Sequence, residues 1–72
     1  MKKYYVSINA ESNGEHCVHD QDCLNLPEIF NRIYLGRFDI SFEAIDEAKK
    51  HFRRINGCKL CTAECCVSYS IV

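Results

Sequence analysis

The chain has 72 residues, six of them cysteine, and sets nine basic residues against ten acidic ones for a formal net charge of −1. This length allows one domain and no more, and a near-neutral balance excludes a general electrostatic drive toward nucleic acid or an anionic membrane. A domain this small buries only about 60% of its unfolded surface, so a staple is expected, and cysteines at about 8% of the chain are the candidates for it.

At the N-terminus, Met1-Lys2-Lys3 imitates the charged start of a signal peptide, but Ser7 and Asn9 interrupt the apolar run that follows. No apolar stretch is long enough to span a membrane. The expectation is a cytoplasmic chain with reduced thiols and no membrane partner. The competing reading is a secreted, disulfide-bonded scaffold.

Tyr4 to Asn9 alternates and is rich in β-branched and aromatic residues, so it reads as a strand. Asn13-Gly14 is a two-residue hairpin signal, which makes Glu15 to His19 the return strand. A two-residue loop sets Ser12 opposite Glu15, Ala10 opposite Cys17 and Ile8 opposite His19. Cys17 and His19 then share the apolar face of Tyr4, Val6 and Ile8, and His16 points to solvent. Pro27 keeps the next stretch irregular. Arg32 to Asp39 reads as a third strand with a bulge at Gly36.

Ser41 suits a helix N-cap and Glu43 the first turn. Phe42, Ile45, Ala48, Phe52 and Ile55 form one apolar stripe at helical spacing. This predicts a helix from Ser41 to Asn56, with an Asp46–Lys50 ion pair and Gly57 as the left-handed cap. Its basic end, Lys49, Lys50, Arg53 and Arg54 with Lys59 nearby, reads as a solvated face. Tyr4, Tyr5, Tyr34 and Tyr69 read as core rather than as a surface for stacking bases. Cys65 to Ile71 alternates and suits a short final strand. The predicted class is α+β: a small, mostly antiparallel sheet, one packed helix and a zinc-knuckle-like turn in a single domain over 1–72.

Two half-sites organise the chain, "HDQDC" (His19 to Cys23) and "CKLC" (Cys58 to Cys61). A two-residue spacer lets both thiolates of a turn reach one ion, and one imidazole with three thiolates suits tetrahedral zinc. The predicted ligands are His19, Cys23, Cys58 and Cys61. Cys17 is the rival first ligand, and Cys65 or Cys66 can replace another. Four protein ligands leave no open position, so the zinc is structural and the chain a non-enzymatic binding module with a protein or nucleic-acid partner. The alternative is a thiol redox or thiol-transfer protein that uses Cys58 and Cys61.

The order H-x3-C, "YLGRF", "EAIDEAKK" and G-C-x2-C resembles the Ada-type metal-binding module, over about residues 17–61. It is also similar to small bacterial proteins built of little besides that module. The resemblance implies the same four ligands. In the Ada methyltransferase a ligand cysteine takes a methyl group from DNA. Here His19 stands at the first ligand position, so the resemblance does not carry methyl transfer over to this chain.

Overall fold

The computed structural model describes residues 1–58. Four strands, β1 (Lys2–Ser7), β2 (His16–Asp20), β3 (Arg32–Phe38) and β4 (Ile55–Gly57), form one sheet in the order β3-β1-β2-β4. A 3-10 turn at Ile29–Asn31 precedes β3, and the one α-helix among the described residues, α1 (Ser41–Ala48), precedes β4. β1 is antiparallel to both β2 and β3, whereas β4 runs parallel to β2. The α+β class holds, with a mixed sheet. β3 and β4 therefore point the same way, and α1 crosses one face between them while β1 and β2 fill the middle.

The helix-covered face carries the core: Tyr4, Val6, Val18, Leu35, Ala44 and Ala48, with Ile33, Phe38, Ile45, Phe52 and Ile55 packed around it. β3 bulges where expected. The register slips between Tyr4 and Tyr5, so that Tyr4 faces Gly36 and Tyr5 faces Tyr34. Gly36 sits at φ +131, and the slip turns Leu35 inward.

The first hairpin departs from expectation. Tyr5, not Ile8, lies opposite His19, and Val6 lies opposite Val18. The turn accounts for one residue of this three-residue shift, and the irregular chain between Val6 and Glu11 for the other two. Gly14 N–H donates to the Glu11 carbonyl and Glu11 N–H to the Glu15 carbonyl, both at 2.8 Å. Gly14, at φ +85, closes a three-residue loop rather than a two-residue one. Ile8 also leaves the ladder, its N–H donating to the Asn31 carbonyl at 2.9 Å. The displacement from Ile8 to Tyr5 is an odd number of residues, and an odd displacement exchanges the two faces of a strand. His19 and Cys17 therefore lie on the face away from α1, with Tyr5. His16 takes the core face and is half-buried. Its ring stacks on Phe52 at 3.7 Å between centroids and 7° between planes. Its Nδ1 donates to the Ser7 carbonyl at 2.9 Å, which places a neutral ring's proton on Nδ1.

The helix is also shorter than its apolar stripe. α1 ends at Ala48 with Lys49 as C-cap, and Ile40, not Ser41, occupies the N-cap position. The buried side chains of α1 are Ser41, Ala44 and Ala48, whereas Phe42 is 54% exposed. Lys50, His51 and Phe52 bond back to Glu47 and Ala48 as a closing turn. Ile55, Asn56 and Gly57 then pair with His16, Cys17 and Val18. Gly57 is thus a strand residue and not a helix cap. Helical spacing predicted one element here; the unpaired edge of β2 recruits its C-terminal part as a strand. The ion pairs shift accordingly, to Lys49–Asp46 at 4.0 Å and Lys50–Glu47 at 3.1 Å. Cys61, the rest of the "CKLC" turn, Cys65, Cys66, Tyr69 and the expected final strand lie outside the described residues.

Candidate metal centre

On the face away from α1, β2 presents His19 and the end of β4 presents Cys58, whose N–H donates to the Val18 carbonyl at 3.1 Å. The parallel β2–β4 pairing is what carries Cys58 to His19 across 39 positions of sequence (58 − 19).

Cys23 arrives on the loop after β2. Asp20 organises that loop. Its Oδ1 accepts from Asp22 N–H at 2.9 Å and its carbonyl from Cys23 N–H at 3.3 Å. Its Oδ2 is paired with Lys2 Nζ at 3.4 Å, a carboxylate contact that holds the Lys2 ammonium above its usual pKa range. A second turn follows, Leu26 N–H to the Cys23 carbonyl at 3.2 Å. Within it, Asn25 N–H donates to Cys23 Sγ at 3.3 Å. An N–H aimed at a ligand sulfur orients it and disperses its charge.

The three ligand atoms lie within 4.8 Å of one another and form the one group able to hold a metal ion among the described residues. Cys23 Sγ is 3.5 Å from His19 Nδ1 and 3.7 Å from Cys58 Sγ. Tetrahedral zinc, with bonds of about 2.3 Å to sulfur and about 2.0–2.1 Å to nitrogen, has edges of about 3.8 Å between sulfurs and about 3.5 Å between nitrogen and sulfur. Two edges of the group therefore already match a zinc tetrahedron. Cys17, Cys23 and Cys58 are thiols, the precursors of thiolate ligands.

His19 and Cys58 are each 6% exposed. Burial pushes the His19 pKa below its ordinary 6.5, against the opposing charges of Glu11 and Asp20. The ring is then neutral at pH 7, the form that donates a lone pair to a metal.

Of the residues singled out from sequence, the structure brings His19, Cys23 and Cys58 together. Cys17 shares the face of His19 but lies outside the group. Two carboxylates beside the site escaped the sequence reading. Glu11 acts on His19 through its charge. Glu15, buried, accepts from Asn13 Nδ2 at 2.9 Å and from Asn56 Nδ2 at 3.2 Å. Both line a 440 Å³ cleft together with Cys17, His19 and Cys58. No spacing rule marks them, because turn geometry and the β2–β4 pairing bring them there. Among the described residues no helix is long and apolar enough to cross a membrane.

No protein-family model, curated protein or solved structure matches the chain.

Proposed function

We propose that the chain is a zinc-stapled, non-enzymatic binding module in which His19, Cys23, Cys58 and Cys61 hold one structural zinc. The observation that carries this reading is the match between the His19–Cys23–Cys58 edges, 3.5 and 3.7 Å, and those of a zinc tetrahedron. The C-x2-C spacing supplies Cys61 as the fourth ligand, and kinship with the Ada-type module belongs to the same proposal. With four protein ligands the ion has no open position for water, which suits a staple rather than a catalyst. The cytoplasm, where thiols stay reduced, is the compartment this chemistry needs.

The test is metal content by native mass spectrometry together with cobalt substitution. One ion per chain is expected. The thiolate-to-cobalt absorption should have the strength of three thiolates and drop to that of two in Cys61→Ala. A chain that binds no metal, or a Cys61→Ala variant with unchanged absorption, would overturn the assignment.

A further inference from the structure

The sheet face opposite α1 holds more than the metal group. Tyr5 on β1 lies opposite Tyr34 on β3, with ring centroids 5.5 Å apart. Along the same face Lys3 lies opposite Arg37, and Arg32 lies opposite Ser7. The Arg32 guanidinium sits 4.5 Å over the Tyr5 ring, and its Nη1 donates to the Pro27 carbonyl at 2.8 Å. Tyr34 is 52% exposed. Lys3, Tyr5, Ile29, Arg32 and Tyr34 line a 380 Å³ hollow that contains no acidic residue.

The net charge of −1 hides a segregation. Glu43, Asp46 and Glu47 belong to α1 on the other face, and Asp20 and Asp22 are paired with Lys2. Glu11 and Glu15 lie at the metal end of the open face, so the part around Tyr5 and Tyr34, lined by Lys3 and Arg32, is locally cationic and aromatic although the chain is nearly neutral.

From this surface we infer that Tyr34, backed by Tyr5 and flanked by Lys3, Arg32 and Arg37, binds single-stranded nucleic acid. A flat exposed ring on a sheet offers any base a stacking partner, and cations beside it track the phosphates. A duplex hides its base faces and does not fit. An acidic peptide would satisfy the cations but has no use for the ring. This names the partner of the binding module proposed above and rests on that reading for a folded chain.

The experiment is fluorescence anisotropy of the full, metal-loaded chain with labelled oligothymidylate and oligouridylate of about ten nucleotides, within the range of single-strand sites. Three phosphate contacts predict that log K falls with log salt at a slope of about −2. Tyr34→Ala should weaken binding about tenfold or more, and Tyr34→Phe, which keeps the ring, should stay within about twofold of the parent chain. A Lys3→Gln, Arg37→Gln chain should lose about two thirds of the salt slope.

The inference fails if the metal-loaded chain leaves the oligonucleotides free, or if Tyr34→Ala binds as tightly as the parent. It also fails if duplex binds equally well, or if polyglutamate binds as tightly as the oligonucleotide and Tyr34→Ala weakens neither. Zinc content and spectral dispersion are read on the same samples. A folded, one-zinc chain that binds no oligonucleotide therefore sinks the surface and leaves the metal module standing. A metal-free chain that binds with the expected Tyr34 dependence supports the surface and sinks the metal reading.

Discussion

At the scale of single residues, two glycines carry conformations that other residues resist. Gly14 closes the hairpin loop at φ +85, and a Cβ there would meet Arg54 Nη1 at 3.2 Å, the end of a flexible side chain. Gly36 sits at φ +131, and its Cβ would lie 3.2 Å from the ring of Phe38, which packs against the core. The two substitutions should therefore rank. Gly36→Ala is expected to cost about 1–3 kcal/mol through backbone strain plus displacement of Phe38. Gly14→Ala should stay near the lower end of the left-handed penalty, about 1 kcal/mol, because Arg54 can move away. Urea unfolding of the two variants checks the order, and a Gly36→Ala chain as stable as the parent would show that the bulge is not needed. His19 and Cys23 were legible at this scale as candidate ligands, because the capacity to bind a metal belongs to the side chain. Glu11 and Glu15 were not, because nothing local marks a surface carboxylate as the neighbour of a site.

At the scale of elements, α1 packs through its smallest side chains. Ala44 and Ala48 are fully buried, while the larger Phe42 faces out. Close approach of the helix to the sheet leaves no room for growth, so Ala48→Leu should cost about 1–3 kcal/mol by overpacking. Phe42→Ala should change stability by no more than about 0.5 kcal/mol, as an exposed substitution does. Thermal unfolding of both variants separates this arrangement from a longer helix with Phe42 inward, which predicts the reverse order. The apolar stripe from Phe42 to Ile55 was read correctly as amphipathic, but its length was not. Period alone does not say where a helix stops. Ile55 is β-branched and fits a strand as well as a helix, and pairing with β2 satisfies its backbone while its side chain packs on the core.

At the scale of the whole molecule, the largest fully buried side chains among the described residues are Val6, Val18 and Ser41, little for a sheet of four strands to close over. A structural zinc contributes about 10–16 kcal/mol in small domains, as much as the whole net stability of an ordinary one, about 5–15 kcal/mol. Chelation is therefore expected to collapse the dispersed proton NMR spectrum, and added zinc to restore it. A sharp, unchanged spectrum in excess chelator would show that the core holds the fold alone. The sequence by itself determined the α+β class, the third strand with its bulge at Gly36, the start of the helix and the pairing of His19 and Cys23 with Cys58. Each of these follows from local chemistry: alternation, glycine's freedom, helical spacing and ligand type. Tertiary structure decided the rest. The hairpin register, and with it the face that His19 occupies, depends on where the loop closes, and a change of one residue there exchanges both faces of the strand. The parallel strand β4 exists only because β2 leaves an edge to pair with. Among the described residues, α1 covers one side of the sheet and leaves the side of Tyr5 and Tyr34 open, a fact no residue on that face encodes.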